Sequence, residues 1–249
     1  MVLRRNFEGP LNLVPLSDMH WGARSHKTEA LMRTRAWILK NDAVVWDLGD
    51  PIELATRHSV GAGVYEQTIS PDEQIDKLLD FYEPIVDRGL LLGMVDSNHA
   101  FRAYKEVGIN ITKQVARTLG VPYFGHSGFL LLRVGDITYK IFGHHGTSGS
   151  ATFGGKVNSV TKLGRDVDCD IVVMAHVHDI HHHTENIRGI NNKTKCYEER
   201  AKHYVITGSY VGHEGYPEQA NYTPVTIGTP ALVLSGDERN VEFIRNISV

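Results

Sequence analysis

The stretch IVVMAHVHDIHHH, residues 171–183, begins as an apolar run and turns abruptly into histidines. Ile171, Val172, Val173 and Met174 have the uninterrupted, β-branched character of a strand buried on both faces. His176 and His178 follow with one residue between them. Side chains two apart in an extended chain project to the same side, so the strand presents two imidazoles together at its carboxyl end. One such ring is an ordinary core histidine. Two are the start of a metal site, provided that other ligands stand nearby.

Working outward, the same design recurs. Residues 11–18, LNLVPLSD, lead into Asp18-Met19-His20, and residues 43–50, AVVWDLGD, end in Gly49-Asp50. Residues 90–99, LLLGMVDSNH, end in Asn98-His99. Gly135-Asp136 joins two β-rich runs as a hairpin, and the return run ends in His144-His145. Between these runs, helical spacing covers 28–40, 71–87, 109–119 and 156–165. The second of these opens with a Ser70 cap, Pro71 at the first position and early acids. Alternation of this kind predicts a layered α/β fold. The later β-rich runs at 203–209, 230–236 and 241–247 predict two sheets packed face to face, a two-sheet β-sandwich flanked by helices. Residues 1–249 read as a single domain, without repeat, low-complexity segment or linker. The Gly-rich, polar segment 55–70 reads as a mobile loop beside Asp50.

Composition bounds the rest. The chain has 249 residues, 41% hydrophobic and 22% charged, enough for a full core. A formal net charge of -3 speaks against a general nucleic-acid coat and leaves room for a local basic groove. Fourteen histidines are an excess that fits metal chemistry. Cys169 and Cys196 are expected as reduced thiols in a cytoplasmic protein. No secretory h-region follows the first arginines, and no apolar run approaches the ~20 residues of a membrane helix.

Each of five strand ends thus carries an oxygen or nitrogen donor suited to a divalent metal, and strand carboxyl ends converge on the ligand site of open α/β sheets. Any one element is weak evidence: a D-x-H or an N-H arises often by chance. All five in order do not.

In these motifs the chain resembles the calcineurin-like metallophosphoesterases, whose signature runs D-x-H, G-D-x-x-D, G-N-H-[ED], a histidine commonly before glycine, and G-H-x-H. Here they read DMH (18–20), GDPIE (49–53), SNHA (97–100), HHG (144–146) and AHVH (175–178). The resemblance implies a four-layer α/β/β/α fold and a dinuclear centre. It assigns Asp18, His20, Asp50 and His178 to one metal. Asp50, as the bridge, Asn98, the hairpin histidine and His176 hold the other. The hairpin ligand is His145 or His144; His145 is favoured because it precedes Gly146, which leaves His144 near the phosphate. His99 is implied as the proton donor to the leaving group. Ser97, Ala100, Glu53 and Ala175 depart from the family pattern without removing a ligand. A looser resemblance to phage and prophage phosphoesterases lies in VITGSY, a tyrosine-rich stretch and GTPALVL.

The implied cofactor is two divalent metal ions. Mixed imidazole, carboxylate and amide donors favour Mn, with Fe, Zn, Ni or Mg as the other candidates. The implied activity is hydrolysis of a phosphoester by in-line attack of hydroxide, with a phosphodiester of a nucleotide or nucleic acid ahead of a phosphomonoester. A binding or scaffold module on the same fold is the competing class. Arg102, three residues beyond His99, is the cation best placed to touch substrate phosphate; Lys105 and Lys113 read as a solvated helix face. His181, His182 and His183 read as a polar edge beyond the site.

Overall fold

The computed structural model describes residues 1–59, 63–147, 150, 152–191, 194–214, 218 and 224–249. Two mixed sheets lie face to face. The first contains β1 (Val2–Phe7), β5 (Ser127–Val134), β6 (Ile137–His144), β7 (Ile171–Met174), β9 (Tyr197–Ile206) and β8 (His181–Ile190), in that spatial order. The second runs β11 (Val241–Ile244), β10 (Ala231–Leu234), β2 (Leu11–Leu16), β3 (Val44–Asp47) and β4 (Leu91–Met94). Within it β2, β3 and β4 are parallel, as are β6, β7 and β9 in its partner. Both sheets therefore deliver strand carboxyl ends to one rim.

Short, fully buried strands make the middle of the molecule. Leu13, Val14, Val45 and Trp46 from one sheet share a core with Leu130, Leu132, Ile141 and Val173 from the other. Five α-helices are described: α1 (Thr28–Lys40), α2 (Pro71–Val86), α3 (Asn98–Val107), α4 (Ile111–Thr118) and α5 (Phe153–Gly164). The first core takes in Leu31 and Ile38 of α1, Leu78 and Phe81 of α2, and Val115 of α4. Helix α5 covers the outer face of the other sheet, where Val160 packs with Phe142, Val172, Tyr204 and Ile206. The sandwich with helices outside is thus the fold expected from the alternation of runs.

Helix α2 starts where Ser70 accepts from the Glu73 amide while the Glu73 carboxylate accepts from the Ser70 amide, a reciprocal cap. Strand β8 is the polar edge expected of the histidine run; among the described residues no metal-holding group includes His181, His182 or His183. Cys169 is buried and Cys196 exposed, both free. In the segment 55–70, Gly63–Glu66 form a 3₁₀ turn, and the Gln67 side chain ties back to the Ala55 amide and carbonyl. Residues 60–62 of that loop, and 215–217 and 219–223 of the tyrosine-rich stretch, lie outside the described residues. No helix among the described residues is long and apolar enough to cross a membrane.

Gly143 of β6 packs directly against the facing sheet. A Cβ there would stand 2.4 Å from Trp46 Cη2 and 2.9 Å from Leu48 Cδ2. Both neighbours are fully buried, so neither can swing away. Gly143→Ala is expected to cost about 1–3 kcal/mol through overpacking. Urea unfolding should show it as a lower midpoint at unchanged slope.

Candidate metal centre

Five loops at the common rim carry the candidate ligands. Asp18 and His20 follow β2, Asp50 follows β3, Asn98 opens α3 after β4, His145 follows β6, and His176 and His178 follow β7. The first two loops run side by side: Asp18 donates its amide to Gly49 O, His20 to Asp50 O and Trp21 to Pro51 O, and Glu53 donates back to Trp21 O. The two sheets are tied together through the site itself, because the His176 amide donates to Asp18 Oδ2 at 3.1 Å.

The backbone is strained where the candidate ligands stand. Asp18, His20, Asp50, His176 and His178 all have φ between 48° and 72°. Left-handed conformations in non-glycine residues cost on the order of 1–3 kcal/mol each and persist only where surroundings impose them. Gly49, with φ 98°, must be glycine, since a Cβ would meet Ser97 Cβ at 2.6 Å and His145 Nδ1 at 2.9 Å.

The side chains converge. His145 Nε2 lies 3.0 Å from Asp50 Oδ2, and His178 Nε2 lies 3.1 Å from Asp18 Oδ1. His20 Nε2 is 3.8 Å from Asp18 Oδ1 and 3.9 Å from Asp50 Oδ2. Asn98 Nδ2 is 3.3 Å from His176 Nδ1. Three overlapping groups have all their ligand atoms within 4.8 Å of one another: Asp18 with His20 and His178, Asp50 with His145 and His176, and Asp50 with His20 and His99. Asp50 and His20 each belong to two of them.

Hydrogen bonds fix which atom of each ring faces inward. His145 Nδ1 donates to Leu48 O at 2.8 Å, and His20 Nδ1 to Glu53 Oε2 at 2.8 Å. The Nε2 of each then faces carboxylates, His20 toward Asp18 and Asp50 and His145 toward Asp50. Asp18 Oδ1, His20 Nε2 and His145 Nε2 are buried without a hydrogen-bond partner. Ring nitrogens facing carboxylate oxygens in a dry pocket need a proton or a metal cation between them. A proton can serve one pair; a divalent ion serves several ligands at once, and this donor set fits one.

The electrostatics agree. Burial by itself raises a carboxyl, yet His145, His99 and His20 around Asp50 hold it well below the usual range. Burial lowers an imidazole, but Asp18 and Glu53 push His20 up to about 10, and Asp50 pushes His145 up to about 9. The site is a place where positive charge is favoured.

No protein-family model matches the chain, and no curated protein matches it. Solved structures do. The chain is similar to Vacuolar Protein Sorting 29 from Cryptosporidium parvum, at 15% identity over 95% of this chain and 97% of that one, with a TM-score of 0.46. It is similar to a metallophosphoesterase from Sphaerobacter thermophilus, at 14% identity over 95% and 88%, with a TM-score of 0.42. A predicted phosphoesterase from Streptococcus pneumoniae matches at 11% identity over 94% and 97%, with a TM-score of 0.36. Likeness this distant does not transfer a function.

His145 is the hairpin histidine at the centre. His144 instead accepts from the Gly146 amide at 2.7 Å, and it stands in none of the three groups. Asp47, at the end of β3, stands in none of the three groups: it accepts from Tyr82 Oη at 2.6 Å and from the Gly49 amide at 2.7 Å. Burial pushes Asp47 up to about 7. Arg102 lies on the wall of the site, where Nη1 donates to Glu53 O at 3.1 Å and Nη2 donates to His99 Nε2 at 3.0 Å. Lys105 and Lys113 are exposed.

Glu53 is the residue that sequence reading undervalued. Its carboxylate orients His20, its carbonyl accepts from His99 Nδ1 at 2.6 Å, and both its carbonyl and Oε1 take Arg102. A carboxylate behind a ligating histidine fixes the tautomer and raises its basicity, and its loss costs about 10–100-fold in metal affinity or activity. Glu53→Gln is therefore expected to weaken Mn binding by about 10-fold, read by titration of the apoprotein. Unchanged binding would leave Glu53 a spectator.

Proposed function

We infer that the chain is a divalent-metal-dependent phosphoesterase acting in one domain over residues 1–249, with a phosphodiester as its substrate. One observation carries the reading: three buried ligand atoms, Asp18 Oδ1, His20 Nε2 and His145 Nε2, converge without a hydrogen-bond partner. Asp18, His20, Asp50 and His178 would hold one metal, and Asp50, Asn98, His145 and His176 the other. Bound there, the ions would supply a hydroxide at neutral pH and charge stabilisation for a phosphoryl group.

The chain's own groups do the rest. Asp50 is held against the start of α3 by the His99 amide, which donates to its Oδ1 at 3.0 Å, so the proposed bridge is fixed before substrate arrives. His99 has its Nδ1 proton committed to the Glu53 carbonyl, leaving Nε2 to face the site. Burial pushes His99 down to about 4 against the pull of Asp50 and Glu53, and Arg102 donates to its Nε2. In this state His99 is neutral with no proton to give there. A phosphate that draws the Arg102 guanidinium onto its own oxygens frees Nε2 to take up a proton from solvent and pass it to the leaving oxygen. Arg102 and His99 thus act as one unit, with the guanidinium as the phosphate contact.

The test is hydrolysis of bis-p-nitrophenyl phosphate against p-nitrophenyl phosphate with Mn added. Faster turnover of the diester is expected. Faster turnover of the monoester makes the protein a phosphatase, and turnover of neither makes it a binding module.

A further inference from the structure

Helix α3 carries Asn98 and His99 into the site with its first turn, and its later turns break the ordinary rule of burial. Ala100 and Ala103 take the buried face. The large side chains look outward: Phe101 is 42% exposed and Tyr104 50%. Their rings are stacked, with centroids 5.5 Å apart and planes 16° apart. Lys105 Nζ stands 5.3 Å from the Phe101 centroid.

The placement is continuous with the centre. Residues three apart share a helix face, so Asn98, Phe101 and Tyr104 form one strip, with successive side chains about 4.5 Å apart along the axis. Its inner end is the Asn98 amide beside His176. Its outer end is two near-parallel aromatic planes with an ammonium over one of them. We propose that Phe101 and Tyr104 are a stacking platform for a nucleobase of the substrate, which makes the ester a nucleoside phosphodiester.

This rests on the phosphoesterase reading and narrows its substrate. Every base offers a π-face, so stacking on exposed aromatics tolerates any sequence, and a nearby cation follows the phosphate. The formal net charge of -3 fits engagement of one or two nucleotides at a local feature rather than a long electrostatic track.

Two esters with one leaving group isolate the platform: p-nitrophenyl thymidine 5′-phosphate and methyl p-nitrophenyl phosphate, each with Mn-loaded protein. Wild type should prefer the nucleoside ester in kcat/KM. Phe101→Ala/Tyr104→Ala should lose about 5- to 100-fold on that ester, chiefly in KM, and stay within about 2-fold on the methyl ester with unchanged metal content. Phe101→Trp should keep the preference. Equal losses on both esters, or no wild-type preference while both are hydrolysed, overturn the platform and leave the phosphoesterase reading intact. So does a dimer that the double variant abolishes in sedimentation without changing that preference, which would give the face to a second copy of the chain. Hydrolysis of neither ester by wild type overturns the phosphoesterase reading, and the platform with it.

Discussion

Asp50→Asn should bind neither metal well and lose activity by about 10³-fold or more. Asp50 stands in two of the converging sets, with His20 and His99 and with His145 and His176, and it is the proposed bridge, so its loss should weaken both positions together. A cation at a phosphoryl group is worth several kcal/mol of transition-state charge stabilisation, and about 1.4 kcal/mol is tenfold in rate. The fold should survive, because the substituted side-chain amide still offers an accepting oxygen to the His99 amide. His20→Ala is the control. His20 stands with Asp18 and His178 and also with Asp50 and His99, but the proposed assignment gives it to one metal only, so its removal should empty mainly one position. Equal metal content in Asp50→Asn and wild type would remove Asp50 from the bridge.

His99→Ala should retain both metals and be crippled in a way that depends on the leaving group. General acid catalysis contributes about 10²–10⁴-fold. A nucleoside alkoxide needs that proton; a p-nitrophenolate leaves well without it. The variant is therefore expected to lose about 10²-fold or more on a nucleoside ester and much less on a p-nitrophenyl ester. Equal losses on the two would assign His99 to positioning, which its hydrogen bond to Arg102 would then explain. Loss of metal would make His99 a ligand, as its place in a group with His20 and Asp50 allows.

The converging donors were legible in the sequence for a physical reason. Parallel strands buried on both faces read as apolar runs, and polar residues just past each run, Asp18, Asp50 and His176 among them, fall at the rim. The sandwich was legible from the same runs. Helix α3 was less so, because its large apolar residues face solvent and its buried residues are only alanines, which leaves no apolar stripe on the core side. Strand β1 was hidden likewise: only Leu3 of its six residues is buried, and arginines occupy its exposed edge. Glu53 could not be tied to His20, thirty-three positions away, because the tie runs through backbone pairing of two irregular loops. The left-handed backbone at Asp18, His20, Asp50, His176 and His178 left no glycine to announce it.

Metal stoichiometry bears most directly on the dinuclear centre. Wild-type protein stripped with chelator, reloaded with Mn, freed of excess ion and analysed by elemental mass spectrometry should hold two equivalents per chain, with Asp50→Asn well below one. One equivalent or fewer in the wild type would contradict the dinuclear site, and none would leave the buried, unpartnered donors of Asp18, His20 and His145 to protons alone.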